Sequence, residues 1–304
     1  MLILPPAELA IRTPINNGPK NWGHARSARV ERTLGVSAGI SPRIISSMEP
    51  QEQSMPSRRD AATISSIDVR KPESWMHRWF LTIDVDWAPD EAIADTIDLL
   101  QSHGVASTWM ITHETPLLSE LRRASEVELG IHPNFNGLLE GHDTRGFSSA
   151  SAVIENLVAL VPEAKVVRSH SVAQSSPLLD LCAEHGLSHD VNMFIPSGSA
   201  NICAPWKSWN GMTRVPYIWE DDVWCLYEAT DQREITPLEI YTSYKGIVVI
   251  NFHPIHVYLN TEKLERYESL RRIHQNGREL LKHRYEGYGT RNRLIDLLSM
   301  AVAS

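Results

Sequence analysis

From Trp79 onwards the chain alternates short apolar runs with amphipathic stretches. Trp79-Phe-Leu-Thr-Ile-Asp-Val-Asp86 is apolar almost to its end and predicts a strand. The stretch 90–100 follows, with Ala92, Ile93, Ile97 and Leu100 at helical spacing and Gly104 as a stop. The alternation then repeats. Strands are expected over 106–112, 127–132, 165–170, 190–195, 213–218 and 246–252. Helices are expected over 116–123, 149–160, 177–185, 261–281 and 291–303. Strand–helix alternation repeated this often implies a parallel sheet, open or closed into a barrel, so the fold class is α/β.

Before this region the texture differs. Residues 1–75 carry a balance of +3, whereas the remainder carries −11. Pro14-Ile-Asn-Asn-Gly-Pro19, Arg26-Ser-Ala-Arg-Val30 and Met48-Glu-Pro-Gln-Glu-Gln-Ser-Met-Pro-Ser-Arg-Arg59 show no period of 2 or 3.6 and are dense in turn residues. Such a composition cannot bury enough apolar surface to offset its ordering entropy. The expected division is a disordered extension over 1–75, a barrel domain over 76–260 and C-terminal helices packed on it over 261–304. A basic docking tail, or sequence upstream of a start at Met76, are the other readings of the extension.

Composition narrows the function classes. The 304 residues are 42% hydrophobic and 22% charged, enough for a sizeable core. A net charge of −8 gives no reason to expect nucleic acid as a partner. No apolar run approaches the roughly 18–20 residues that span a bilayer. Met1-Leu-Ile-Leu-Pro-Pro6 lacks a charged start and is broken by proline, so the expected compartment is the cytoplasm. Cys182, Cys203 and Cys225 stand 21 and 22 residues apart with no Cys-x-x-Cys pair, and they read as small buried side chains.

Candidate chemistry gathers at the strand ends. Asp84 and Asp86 close the first strand, His113 follows the second, and His132 ends the third. Arg168 and His170 end the fourth, and His253 and His256 follow the last. Ligands bind at the carboxyl ends of parallel strands, so these groups are expected to converge on one mouth. Carboxylate plus imidazole there is a ligand set for zinc or a similar divalent ion. By contrast, His103 and His185 each precede a glycine at a helix end, where a cation suits the dipole, and read as structural.

In this order the residues over about 79–258 resemble the polysaccharide deacetylase family (NodB-homology, carbohydrate esterase family 4). The resemblance is closest to its divergent members from surface-polysaccharide gene clusters. Thr82-Ile-Asp-Val-Asp-Trp87 is similar to the family's Thr-Phe-Asp-Asp-Gly, with one residue inserted between the acids. The resemblance implies a distorted (β/α) barrel of about seven parallel strands with extra C-terminal helices. It assigns Asp84 as general base and Asp86 as metal ligand. His132-Pro-Asn-Phe-Asn136 resembles the second motif, whose two histidines stand four apart. His132 is the implied ligand, and Asn136 stands where the second histidine would be, so the third ligand is either Asn136 or His170. Arg168 resembles the arginine that steadies the catalytic aspartate. Phe252-His253 resembles the Leu-His pair on the last strand and makes His253 the general acid.

The implied cofactor is a divalent metal ion, zinc first, with cobalt or nickel as alternatives. A water on such an ion would lose its proton to Asp84 and attack an acetyl carbonyl while His253 protonates the leaving amine. The expected protein is a metal-dependent hydrolase that removes an N-acetyl group from a sugar of a surface polysaccharide or its precursor. The alternatives are hydrolysis of another amide or a phosphoester, and a non-catalytic carbohydrate-binding relative, which would need neither Asp84 nor His253. On the substrate side, Trp219 and Asp222, from Arg214-Val-Pro-Tyr-Ile-Trp-Glu-Asp-Asp222, are wall candidates. Asn136, His113 and His256 are further contacts at the mouth. Trp206 and Trp209 lie in a loop that could cover it.

Overall fold

The computed structural model describes residues 60–196, 202–227 and 236–303. Among these the strands are β1 (Asp60–Ala61), β2 (Arg78–Asp84), β3 (Ser107–Ile111), β4 (Val127–Ile131) and β5 (Val166–Val167). They continue with β6 (His189–Phe194), β7 (Trp206–Lys207), β8 (Thr213–Tyr217), β9 (Trp219–Glu220) and β10 (Val248–Phe252). Their order in the sheet is β7-β8-β6-β5-β4-β3-β2-β10-β9, with β1 beside β2. Every described pairing is parallel except β7 on β8.

The sheet closes through one stretch of chain. β8 pairs with β6, and after the single residue Ile218 the same run continues as β9 against β10. Ile218 N donates to Val249 O at 3.1 Å across that junction. The ring is therefore β2, β3, β4, β5, β6, β8–β9 and β10, a barrel of seven strands, as the resemblance implied. Its strands are buried on both faces and so read as nearly continuous apolar runs. All five residues of β10 and six of the seven in β2 are buried.

Helices cover the outside for local reasons that the sequence shows. Asp90–Gln101 starts with two acids in its first turn and buries Ala92, Ile93, Thr96, Ile97 and Leu100. Ser149 caps Ala150–Leu160 by accepting from Ala152 N, and Ser175 caps Ser176–Glu184 by accepting from Leu178 N. The expected helix over 261–281 is three short pieces instead, Leu264–Ser269, Arg271–Ile273 and Gly277–Leu281. Helix Thr290–Ala303 buries Leu294, Leu297 and Leu298 completely. Helices at Asp221–Tyr227, Pro237–Ser243 and Pro254–Leu259 were not expected from the pattern. All three cysteines are buried, and burial pushes the Cys182 thiol up to about 12.

The expected extension over 1–75 is corrected at its C-terminal end, and residues 1–59 lie outside the described residues. β1 pairs in register with β2, Asp60 with Arg78 and Ala61 with Trp79. Ile64 and Ile67 are buried in the main core, and Ile64 N donates to Thr108 Oγ1 at 3.1 Å. A short edge strand followed by two isolated isoleucines has no period to detect. Its partner, the N-terminal end of β2, is in place only after folding. Ile64→Ala should therefore cost about 2–4 kcal/mol in denaturant unfolding. A loss below about 0.5 kcal/mol, the range of surface substitutions, would show that this segment is not part of the core.

Candidate active site

At the carboxyl ends of the strands lies a cavity of about 230 Å³. Its lining includes Asp84, Asp86, His132, Arg168, His170, Tyr217, Glu220, Asp222 and His253. Parallel strands deliver their ends to one rim, which is why residues up to 169 positions apart in the chain meet here.

Arg168 is the buried centre of the floor. Its Nη1 donates to Asp84 Oδ1 at 2.9 Å, Thr82 Oγ1 at 3.0 Å and Asn251 Oδ1 at 2.5 Å. Its Nε donates to Val191 O at 3.1 Å, and the guanidinium lies over the Tyr217 ring at 4.2 Å. Asn251 completes the ring of contacts. Its Nδ2 donates to Asp84 Oδ2 at 3.0 Å and to Glu220 Oε1 at 3.1 Å. Tyr217 OH donates to Glu220 Oε2 at 3.0 Å. Burial, then the charge of Asp222, pushes Glu220 up to about 8.

Above that floor, Asp86 Oδ1 stands 3.0 Å from His132 Nε2 and 3.1 Å from His170 Nδ1. Burial opposes its ionisation, but the charge of His132, hydrogen bonds from His132 and His170, and the charge of His253 hold its carboxyl well below the usual range. His132 Nδ1 is buried without a hydrogen-bond partner and faces Asp84 Oδ1 at 3.8 Å. One carboxylate and two imidazole nitrogens within 4.8 Å of one another suit a divalent ion. With bonds of about 2.1 Å, the edges of a tetrahedral shell run to about 3.4 Å, so these separations need open by only a few tenths of an ångström.

His253 follows β10. Its Nδ1 pairs with Asp221 Oδ1 at 2.6 Å, and its backbone N donates to Asp221 Oδ2 at 2.9 Å. Its Nε2 lies 3.9 Å from Asp84, 3.7 Å from Asp86 and 3.9 Å from Glu220, too far for hydrogen bonds. That nitrogen therefore faces the cavity uncommitted. Burial would lower the His253 pKa, but the charge and hydrogen bond of Asp221, helped by Asp222 and Asp86, raise it well above the ordinary value. Asp84–Glu220–His253 and Asp221–Asp222–His253 are two further groups with metal-ligand spacing.

The remaining expected contacts are placed differently. Trp219 is fully buried against Phe252, ring centroids 5.0 Å apart, and does not line the cavity. Strand alternation explains this, because its neighbour Glu220 faces inward. His113 pairs with Thr112 Oγ1 at 2.8 Å and is absent from the lining. His256 sits behind His253, its ring edge-on at 5.7 Å and its Nδ1 3.1 Å from Thr261 Oγ1. Asn136 donates to Ser171 Oγ at 3.1 Å and is outside the ligand cluster, whereas His170 is within it. Asp222 does line the cavity, but Trp206 and Trp209 do not. Sequence reasoning missed Thr82, Tyr217, Glu220, Asp221 and Asn251. Polar residues inside apolar strands were the available signal for Thr82 and Asn251.

The Asp221–His253 pair sets a pH expectation. A histidine whose pKa is raised in the folded state stays cationic above its ordinary value near 6.5 and loses its proton only as pH climbs further. In nitrogen NMR the wild-type imidazole should remain protonated at neutral pH. In Asp221→Asn it should titrate at a lower pH. An unchanged titration would mean that Asp221 does not set the charge of His253.

A family model described as WbmS-like polysaccharide deacetylase matches residues 81–271. Among solved structures, WbmS from Bordetella bronchiseptica, described as a polysaccharide deacetylase involved in O-antigen biosynthesis, is 43% identical. That match covers 80% of this chain and 98% of the other, with a TM-score of 0.73. A polysaccharide deacetylase from Mycobacterium smegmatis is 16% identical over 81% of this chain and 89% of its own, with a TM-score of 0.44. A family 4 carbohydrate esterase from Streptomyces lividans, in complex with acetate, is 12% identical over 73% and 88%, with a TM-score of 0.39. A search of curated proteins finds no significant match.

Proposed function

The chain belongs to the WbmS-like polysaccharide deacetylase family, and on that basis we propose that it hydrolyses an N-acetyl group from a sugar of a surface polysaccharide or its precursor. The observation that carries the reading is the company kept by Asp86, His132 and His170. A carboxylate, Asp84, and an imidazole, His253, flank this set without belonging to it. No helix among the described residues is long and apolar enough to cross a membrane.

Asp86, His132 and His170 would hold a divalent ion, zinc first given the nitrogen and oxygen donors. Such an ion supplies Lewis-acid polarisation of the acetyl carbonyl and acidifies water towards a pKa of about 7. Asp84 is the base. Arg168 holds its Oδ1 and Asn251 its Oδ2, so its orientation is fixed and its remaining lone pairs take the proton of the attacking water. His253 is the acid. Asp221 grips Nδ1, which fixes the ring and leaves the Nε2 proton free to pass to the departing nitrogen. Burial of the cavity floor keeps bulk water from Arg168 and Asp84. Asp222 and Glu220 line the cavity wall and offer acceptor oxygens to sugar hydroxyls.

The direct test is acetate release from N-acetylated amino sugars, free and as glycosides, with bis-p-nitrophenyl phosphate as the phosphoester control. Wild type should release acetate and leave the phosphodiester intact. Asp84→Asn and His253→Gln should each lower kcat by about 10²–10⁴ while the protein still binds the ion. Hydrolysis of the phosphodiester alone, or full activity in Asp84→Asn, would contradict this reading.

A further inference from the structure

Asn136 occupies the place where the resemblance puts a second ligand histidine, yet its amide is directed at Ser171. The geometry of that contact gives it another purpose. His170 opens a single helical turn, His170–Val172, in which Ser171 has φ 56° and ψ 26° and Val172 has φ 47°. Left-handed backbone costs an L-residue roughly 1–2 kcal/mol, so such a turn persists only where its surroundings hold it.

Beside the bonds from Val172 N to Ser169 O and from Ser169 N to Asn192 Oδ1, two holding contacts come from residues 133–136. Pro133 O accepts from His170 N at 2.9 Å, and Asn136 Nδ2 donates to Ser171 Oγ at 3.1 Å. Asn136 is itself anchored, since its backbone N donates to Asn134 Oδ1 at 2.8 Å and Arg145 Nη2 donates to Asn134 O at 2.6 Å. On the far side, the His170 ring meets Trp87 and His132 edge-on, at 5.1 and 5.6 Å, with Nδ1 towards Asp86. Release of Ser171 would remove the one side-chain tether on the Ser171 hydroxyl and leave backbone bonds, from His170 N to Pro133 O and from Val172 N to Ser169 O, with the ring and Asp86 contacts to keep His170 in place.

We propose that Asn136 is a positioning residue for the ion-binding set: by holding Ser171 it fixes the strained turn that aims His170 at Asp86. The inference rests on the reading that Asp86, His132 and His170 hold the ion.

Cobalt(II) titration of the full chain, followed by visible absorption and calorimetry, tests this. Asn136→Ala and Ser171→Ala should each raise the cobalt Kd by about 10–100-fold, the usual effect of removing a contact that orients a ligand. The double variant should be no weaker than the single ones, because both remove one tether. Asn136→Asp, whose carboxylate can accept from the Ser171 hydroxyl, should restore binding. The saturated cobalt spectrum should match wild type in Asn136→Ala and differ in His170→Ala. Thermal midpoints of the metal-free proteins check that the variants fold, and Ser171→Ala reports on the same tether if Asn136→Ala does not. Wild-type affinity in both alanine variants would overturn the proposal, as would a changed saturated spectrum in Asn136→Ala. A wild-type chain that binds no cobalt would overturn the ion-binding reading itself, and this inference with it.

Discussion

The guanidinium of Arg168 lies in the barrel floor with almost no exposure to solvent, and its contacts reach from β5 to β2, β6 and β10. A buried charge of this kind is tolerable only with a partner, and the partner is Asp84 at 2.9 Å. Removing one member of such a pair typically costs about 3–5 kcal/mol, since it strands the other charge in a poorly solvating interior. The same contact that makes the floor foldable therefore also decides where the carboxylate of Asp84 stands. Asn251 fits between them because an amide presents an acceptor to Arg168 and donors to the carboxyl groups of Asp84 and Glu220 at once.

From this floor follows the separation of tasks at the mouth. Asp84 is engaged by Arg168 and Asn251, so Asp86 is the acid left to meet His132 and His170. His253 is drawn away from that set by Asp221, which binds both its ring and its backbone. Four left-handed non-glycine residues, Asp86, Trp87, Ser171 and Val172, cluster around the Asp86–His170 contact. Backbone strain of that kind collects at sites where position matters more than local comfort. Gln275 Nε2 and Thr112 Oγ1 hold the Trp87 backbone on one side, as Pro133 and Asn136 hold the His170 turn on the other.

Much of this could be read from the chain because parallel topology is a strong constraint. Once 79–86, 127–132, 165–170 and 246–252 are strands of one sheet, Asp84, Asp86, His132, Arg168, His170 and His253 must share a rim. What could not be read depended on closure. Tyr217 and Glu220 acquire partners only when the run from β8 to β9 bridges β6 and β10. Trp219 looked like a wall because tryptophan commonly lines sugar sites. The alternation of one short strand turns Trp219 outward and Glu220 inward. Ile64 and Ile67 were hidden for another reason: two residues beside a two-residue edge strand leave no periodic trace. His113 and His256 show the limit of proximity in sequence, since each follows a strand yet is taken up by a neighbouring hydroxyl.

Among the described residues three groups of side chains have metal-ligand spacing, and the roles of Asp84 and His253 depend on which one takes the ion. Anomalous diffraction from crystals soaked with zinc distinguishes them directly. A single peak bounded by Asp86, His132 and His170, with Asp84 and His253 outside its coordination shell, is the predicted result. A peak among Asp84, Glu220 and His253, or among Asp221, Asp222 and His253, would take the base or the acid into the ligand shell and contradict the assignment of both.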